Sequence, residues 1–507
     1  MKRLVLGGPF GVRLCLAFAA GLGLALGQVP FSLWFLAMPA LGAAVWLVAT
    51  EARPRRAAWL GLAFGAGHFI LALHWITEPF QVDAARDGWM APFALVFLAL
   101  GLGTFWALAA VVAARLGVSR SMRAVGFALA LAVVELLRGH VFTGFPWVLI
   151  GHIWLGSAPE QGAALVGAYG LTLVTVMMAA AVVAMPLRGG LVVAVLLAGL
   201  WGGGLWRERL PVPDGPGAVV RLIQPNAAQH LKWDPDKARE FMDRQIDLTA
   251  APPGELGPPD LVIWPETAVS FLLDRPGNGL MQIADAAGGA PVVVGIQRVE
   301  GWRGYNSMAV IDPGGDVRAV YDKHHLVPFG EYMPMGDLAA TWLGITAFAA
   351  QEGFGYSSGP GPAVLDLGPL GRALPLICYE AVFPQDIRRV ARADWLLHIT
   401  NDAWFGDRAG PFQHLSLARL RAIEQGLPLV RAANTGVSAV IDARGRVLDQ
   451  IGLNRSGFVD AALPGALAAP PYARWGEMPV MVALGLLWAG LLAARRRLGI
   501  DPARGAQ

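Results

Sequence analysis

Three segments end an apolar run with a residue able to do chemistry: Leu261-Val262-Ile263-Trp264-Pro265-Glu266, Val320-Tyr321-Asp322-Lys323 and Leu374-Pro375-Leu376-Ile377-Cys378. Sheets of α/β domains present side chains to a crevice at such strand ends. A thiol is a weak nucleophile until a base takes its proton, and Glu266 supplies a base. The ammonium of Lys323 favours a thiolate and can hold the oxyanion of a tetrahedral intermediate. Taken singly, each residue has a plainer reading. A lone cysteine at a strand end is usually a small core residue, and a lone Glu or Lys there is usually solvated. The reading of Glu266, Lys323 and Cys378 as one device rests on their coincidence.

The elements that must position them are short β-branched runs separated by helical stretches. The runs are 219–224, 261–264, 291–297, 308–311, 317–321, 374–378, 395–400, 429–433 and 437–441. Such alternation indicates an α/β domain. Asp312-Pro313-Gly314-Gly315 and Asp442-Ala443-Arg444-Gly445 join neighbouring runs as tight turns, so hairpins are mixed with helical crossovers. Leu415, Leu417, Leu420 and Ile423 give 413–425 the spacing of an amphipathic helix.

That domain occupies residues 210–475. The rest of the chain is different in kind. With 507 residues, 55% hydrophobic and 15% charged, the chain is too apolar for an ordinary soluble protein. A membrane span needs about 17–25 mostly apolar residues. Seven such runs precede the domain, near 10–28, 31–50, 57–77, 90–113, 123–141, 163–186 and 190–206, and an eighth follows near 478–494. Met1 to Gln28 reads as the first span and not as a cleaved leader, because further apolar runs follow at once. The expectation is a helical bundle of seven spans over 1–209, an α/β domain over 210–475, and an eighth span with a tail over 476–507.

Lys and Arg in short loops stay on the cytoplasmic side. Lys2, Arg3, Arg13, Arg53, Arg55, Arg56, Arg115, Arg120, Arg123, Arg188 and Arg495 to Arg497 all fall on one side if the N-terminus is inside. Arg207 and Arg209 are exceptions, which a large translocated domain tolerates. Both termini are then expected in the cytoplasm and the domain outside it.

The net charge of +3 is small and the basic residues lie beside apolar runs, which argues against nucleic-acid binding. Two cysteines, Cys15 and Cys378, offer no disulfide framework. His324, His325, His398 and His414 lack metal-ligand spacing, so no metal is expected. Glu135 and Arg138 have two readings, a functional intramembrane pair and a self-satisfied helical ion pair. Trp75 and Gly144-Phe145-Pro146-Trp147 fit an interfacial aromatic belt.

The order Glu, Lys, Cys resembles that of the nitrilase, or carbon–nitrogen hydrolase, superfamily, whose triad sits in an αββα sandwich. Longer motifs narrow the likeness. Tyr321-Asp322-Lys323-His324-His325-Leu326-Val327-Pro328-Phe329-Gly330-Glu331-Tyr332, Ile377-Cys378-Tyr379-Glu380 and Thr400-Asn401-Asp402-Ala403-Trp404-Phe405-Gly406 resemble the apolipoprotein N-acyltransferase family. That family also places its domain before the last of eight spans.

The resemblance implies Glu266 as general base, Lys323 as oxyanion-stabilising lysine, Cys378 as nucleophile and Glu331 as a second carboxylate beside them. Tyr379 and Glu380 correspond to positions needed for activity. Trp233, in Lys232-Trp233-Asp234-Pro235, matches a tryptophan on a loop over the substrate opening, with packing as its other reading. Asn306, in Tyr305-Asn306-Ser307, is either a site residue or a turn cap. The resemblance further implies no cofactor, a phospholipid acyl donor (typically the sn-1 chain of phosphatidylethanolamine), a diacylglyceryl-apolipoprotein acceptor, and the bacterial inner membrane with a periplasmic catalytic domain.

Overall fold

The computed structural model describes residues 9–334 and 355–497. Lys2 and Arg3, and the tail beyond 497, lie outside the described residues. The chain divides into two compact units. One draws on the chain up to Leu210, on Arg408–Ser416, and on the chain from Ala469 onward; the other comprises Pro211–Asp407 and Leu417–Ala468.

The first unit is helical. Each apolar run of the sequence forms a helix: Phe10–Ala25, Trp34–Ala49, Pro54–Ala72, Ala91–Leu116, Arg120–Arg138, Ala163–Ala184, Pro186–Arg209 and Met478–Arg497. Among the described residues four helical segments are long and apolar enough to cross a membrane, Ala84–Leu116, Ala158–Ala184, Pro186–Arg209 and Met478–Arg497, or five if the bent pair Pro54–Ala72 and His74–Gln81 is one span. The reasons differ for the other four. Phe10–Ala25 and Trp34–Ala49 have 16 residues each, about 24 Å of helix. Pro54–Ala72 bends by 48° into His74–Gln81, and Arg120–Arg138 carries Arg120, Arg123, Glu135 and Arg138.

Small residues let these helices approach closely. A Cβ at Gly21 would strike the Phe64 carbonyl, and one at Gly67 the Phe18 carbonyl. Glu135 and Arg138 are fully buried and pair at 3.0 Å. Trp106 Nε1 donates to Glu135 at 2.8 Å, and Arg138 donates to the Trp147 carbonyl at 2.9 Å. The ion-pair reading therefore describes them, and the pair also fixes the chain after the helix. The aromatic-belt reading of Trp75 and Trp147 is overturned: both are buried, and both indole N–H groups donate to Gln413 Oε1, at 3.0 and 2.8 Å.

The second unit holds two six-stranded sheets. Its strands are β1 (Val219–Gln224), β2 (Leu261–Ile263), β3 (Val292–Glu300), β4 (Arg303–Ile311), β5 (Val317–Asp322), β6 (Leu365–Asp366), β7 (Arg372–Ile377), β8 (Trp395–Thr400), β9 (Leu429–Ala433), β10 (Ser438–Ile441), β11 (Val447–Ile451) and β12 (Gly457–Ala462). The orders are β12-β1-β2-β3-β4-β5 and β11-β10-β9-β8-β7-β6. Each has a parallel centre, β1/β2/β3 or β7/β8/β9, flanked by antiparallel strands. The sheets meet face to face, with Ser438 of β10 donating to the Gln224 side chain at the end of β1. Central strands are therefore covered on both faces, and β1, β8 and β9 are buried along their whole length.

Pro235–Ala250 and Gly279–Ala286 cover the outer face of the first sheet. Ile283 and Leu280 join Ile223, Val262, Trp264, Val292 and Val294 in one apolar core, and Trp264 Nε1 donates to Thr249 Oγ1 at 2.9 Å. Each large aliphatic chain buried there contributes about 1.5–3 kcal/mol.

Candidate active site

Both sheets send residues to one place from the carboxyl ends of their strands. Glu266 follows β2 after Trp264-Pro265, Lys323 directly follows β5, and Cys378 directly follows β7. All three are buried, at 5%, 1% and 5% exposure. Lys323 Nζ lies 3.4 Å from Glu266 Oε1, and the charges of both act on the Cys378 thiol.

Glu331 reaches the same ammonium more closely, at 2.8 Å. It is held by a tight local turn in which the Val327 amide donates to its Oε2 at 2.9 Å. Asn306, on β4 next to β5, donates from one Nδ2 to Glu266 Oε1 at 2.7 Å and to Glu331 Oε1 at 3.0 Å. It is thus a mid-strand bridge between two carboxylates and not a turn cap. The Lys323 amide closes onto the Asn306 carbonyl at 2.9 Å, so strand pairing brings lysine and asparagine together.

Cys378 has φ +51°, in the left-handed region that a residue with a Cβ enters at a cost. The chain breaks out of β7 there into a short 3-10 turn, Cys378–Val382, an abrupt bend of the kind found where strain serves a site. Glu380, in that turn, is fully buried and collects four donors: the amides of Ile377, His324 and His325 at 2.8, 2.8 and 3.2 Å, and the Tyr321 hydroxyl at 2.9 Å. This carboxylate clamps the segment after Lys323 to the segment that carries Cys378. Tyr379 packs edge-on against Phe383 and His325.

The electrostatics follow from burial and these partners. Burial pushes the Cys378 thiol up; the Glu266 charge adds to this and Lys323 opposes it, so the resting group is a thiol. Burial works to lower Lys323, but Glu331, Glu266 and Cys378 outweigh it and hold the group above the ordinary lysine range. A neutral thiol thus lies beside a carboxylate and a charged lysine.

Several contributors carry no sequence signal. The Asn401 backbone amide donates to Glu266 Oε2 at 2.8 Å and fixes that carboxylate from the opposite sheet. Tyr356 lies close enough to Glu331 and Glu266 for their charges, after burial, to raise its hydroxyl. Lys232 is buried, with Nζ donating to Thr267 Oγ1 at 2.8 Å and to the Glu266 carbonyl at 3.3 Å; burial lowers it to about 8. Trp233, half-buried beside it, lines a small crevice with Phe241, Pro265 and Val269.

His324, His325 and Asp386 bring ligand atoms within 4.8 Å of one another. These groups already engage each other: His325 Nδ1 meets Asp386 at 2.8 Å, and His324 lies between Glu380 and Asp386. Burial works against a proton on His324, but hydrogen bonds to Asp386 and Glu380 prevail and raise it to about 9. The residues present suit a protonated histidine between carboxylates.

Comparison with known proteins places the whole chain. The apolipoprotein N-acyltransferase N-terminal domain model matches residues 20–181, and the carbon–nitrogen hydrolase model matches residues 220–470. The apolipoprotein N-acyltransferase of Caulobacter vibrioides is 41% identical, covering 96% of this chain and 94% of that protein. That of Rhodopseudomonas palustris is 37% identical, covering 96% of each. A solved amidase from Nesterenkonia sp. AN1 is 19% identical, covering 54% of this chain and 99% of its own, with a TM-score of 0.37. By its match to the carbon–nitrogen hydrolase model the α/β unit has that fold, following a helical N-terminal region in the sequence, and by its full-length relatives the chain belongs to the apolipoprotein N-acyltransferase family.

Proposed function

We propose that this protein is an apolipoprotein N-acyltransferase that works by a two-step acyl transfer through Cys378. The observation that carries the reading is that Glu266 and Lys323 act on a buried cysteine held in a strained turn, with Glu331 paired to the same lysine. Glu266 takes the thiol proton, the sulfur attacks an ester carbonyl of a phospholipid, and Lys323 holds the oxyanion. The carbonyl re-forms, the lysophospholipid leaves as an alcohol with the proton from Glu266, and a thioester remains. The N-terminal α-amine of a diacylglyceryl-cysteine then attacks, Glu266 accepts its proton, and the amide product departs as the thiol is restored.

Both substrates are anchored by acyl chains. A catalytic unit tethered to the bilayer therefore meets them at high effective concentration, which supports a bundle of eight spans over 1–209 and 476–507 around a domain at 210–475. The Lys and Arg distribution supports cytoplasmic termini and a periplasmic domain at the bacterial inner membrane, and phosphatidylethanolamine as donor follows the family likeness. Glu331, Asn306, Tyr379 and Glu380 take supporting roles, and Trp233 bounds the approach to the thiol. Intact-mass spectrometry tests the scheme. Incubation with phosphatidylethanolamine should add one acyl mass to the peptide containing Cys378, and Cys378→Ala should add none; an adduct on Cys378→Ala overturns it.

A further inference from the structure

A closed circuit of buried polar groups begins and ends at Cys378. The His398 ring lies behind the nucleophile, with Nε2 3.2 Å from the Cys378 carbonyl and Nδ1 2.9 Å from Arg431 Nη1. A guanidinium has donors only, so Nδ1 accepts and Nε2 carries the proton that reaches the Cys378 carbonyl. Arg431 Nη2 donates to Asp402 Oδ2 at 2.5 Å, and its Nε donates to the Val437 carbonyl at 3.1 Å. Asp402 Oδ1 accepts from Thr400 Oγ1 at 2.9 Å. Parallel pairing sets Ile377 of β7 beside Ile399 of β8, so Cys378 and Thr400 are the residues next after that pair in the two neighbouring segments, and the hydroxyl is placed to favour a charged sulfur. His398, Thr400, Asp402 and Arg431 are each completely buried.

The hydroxyl of Thr400 has one proton and two claimants. With a neutral thiol, the ionised Asp402 holds it. Once the S–H bond breaks and the proton passes to Glu266, the sulfur is an anion and the stronger acceptor. Asp402 keeps its charge-assisted bond to Arg431 and can release the hydroxyl without becoming an unpaired buried charge.

We propose that Thr400 is a further catalytic group of this centre: its hydroxyl turns from Asp402 to the sulfur as the thiol ionises. Asp402, Arg431 and His398 are positioning residues, which return the circuit to the Cys378 carbonyl and hold the strained turn. Lys323 neutralises the thiolate from the side of the first sheet; Thr400 supplies a short-range donor from the second. Only the lipid part of the following test rests on the acyl-transfer reading.

The experiment uses full-length protein in detergent, in a Cys15→Ala background so that Cys378 is the one thiol. The rate of Cys378 alkylation by iodoacetamide is read by intact mass, and single-turnover acylation is read with phosphatidylethanolamine in mixed micelles. Thr400→Val keeps the shape and deletes the hydroxyl. It is expected to slow both rates by about 10- to 100-fold, as for one hydrogen bond to an ionised group, with the donor KM unchanged. Thr400→Ser, which restores the hydroxyl, is expected to return to within about threefold of the parent. If Thr400→Val loses its cooperative thermal transition, Thr400→Ala takes its place with the same expectation. Parental alkylation and acylation in the hydroxyl-free variant overturn the proposal, as does an effect confined to KM. Slowed alkylation of Thr400→Val, where the parent itself never acquires an acyl group, would leave Thr400 in its role and remove the acyl-transfer reading.

Discussion

Glu331 holds the Lys323 ammonium at 2.8 Å, closer than Glu266 at 3.4 Å. The lysine charge is thereby matched more closely by Glu331 than by Glu266, the proposed base. On that proposal Glu266 is a base that a cation steadies without capturing. In Glu331→Gln, Lys323 pairs with Glu266 alone and the base is weakened. Acyl-enzyme formation should fall about 100-fold, the scale of a lost general base, while alkaline hydrolysis of preformed thioester is unchanged. A single-turnover rate equal to wild type would reduce Glu331 to a bystander.

Asn306 separates the two carboxylates with one amide group. Replacement by Ala removes a donor from each and should cost about 1–3 kcal/mol of transition-state stabilisation. Asn306→Asp should be worse than Ala, because a third negative charge then lies between two others. Ranking the single-turnover rates of the two variants checks this; an Asp variant faster than the Ala variant contradicts the bridging role.

The four-donor clamp at Glu380 predicts a combined loss. Glu380→Gln turns one acceptor edge into a donor facing backbone amides and removes the charge opposite His324. A fall of about 3 kcal/mol in stability is expected, together with acylation below detection, since the segments bearing Lys323 and Cys378 lose their shared anchor. Thermal unfolding and intact-mass acylation should fail together; an inactive variant with native stability would point to direct chemistry at Glu380 instead.

Lys232 predicts a pH dependence with a definite sign. Burial lowers its folded-state pKa to about 8, against about 10.4 when unfolded. Between those values the unfolded chain binds the extra proton, so stability rises with pH from about 8 to about 10 and is flat below about 7. The rise is about 3 kcal/mol at most. Lys232→Met should abolish that rise. Unfolding midpoints measured at intervals from pH 7 to pH 10 for both proteins decide it, and parallel curves would refute the assignment.

The central strands were legible because they are buried on both faces and read as mostly apolar runs; β1, β8 and β9 begin and end where those runs do, whereas β5, which leads to Lys323, is exposed over most of its length and was found by its β-branched residues. The strands that sequence patterning missed are of another kind. β11 is exposed along most of its length, β12 is only half-buried, and β6 has two residues, so none needs an apolar run. In the site, Glu266, Lys323 and Cys378 stand out by residue type at strand ends. The Asn401 amide does not, since a backbone donor leaves no mark in composition, and Lys232 looks like any surface lysine until the chain folds over it. The helical unit shows the reverse limit. Hydropathy found each of its eight long helices among the described residues, but it did not reveal that Pro54–Ala72 bends into the next segment or that Trp75 and Trp147 turn inward to share Gln413.

The backbone of Cys378 sets folding against reactivity. At φ +51° a side-chain Cβ costs about 1–2 kcal/mol that glycine would not incur. Ruggedness alone would therefore favour a residue without a sulfur at this position. Screens that rank variants of this protein by heat tolerance should accordingly be paired with an assay of thiol reactivity, because at residue 378 the two criteria pull in opposite directions.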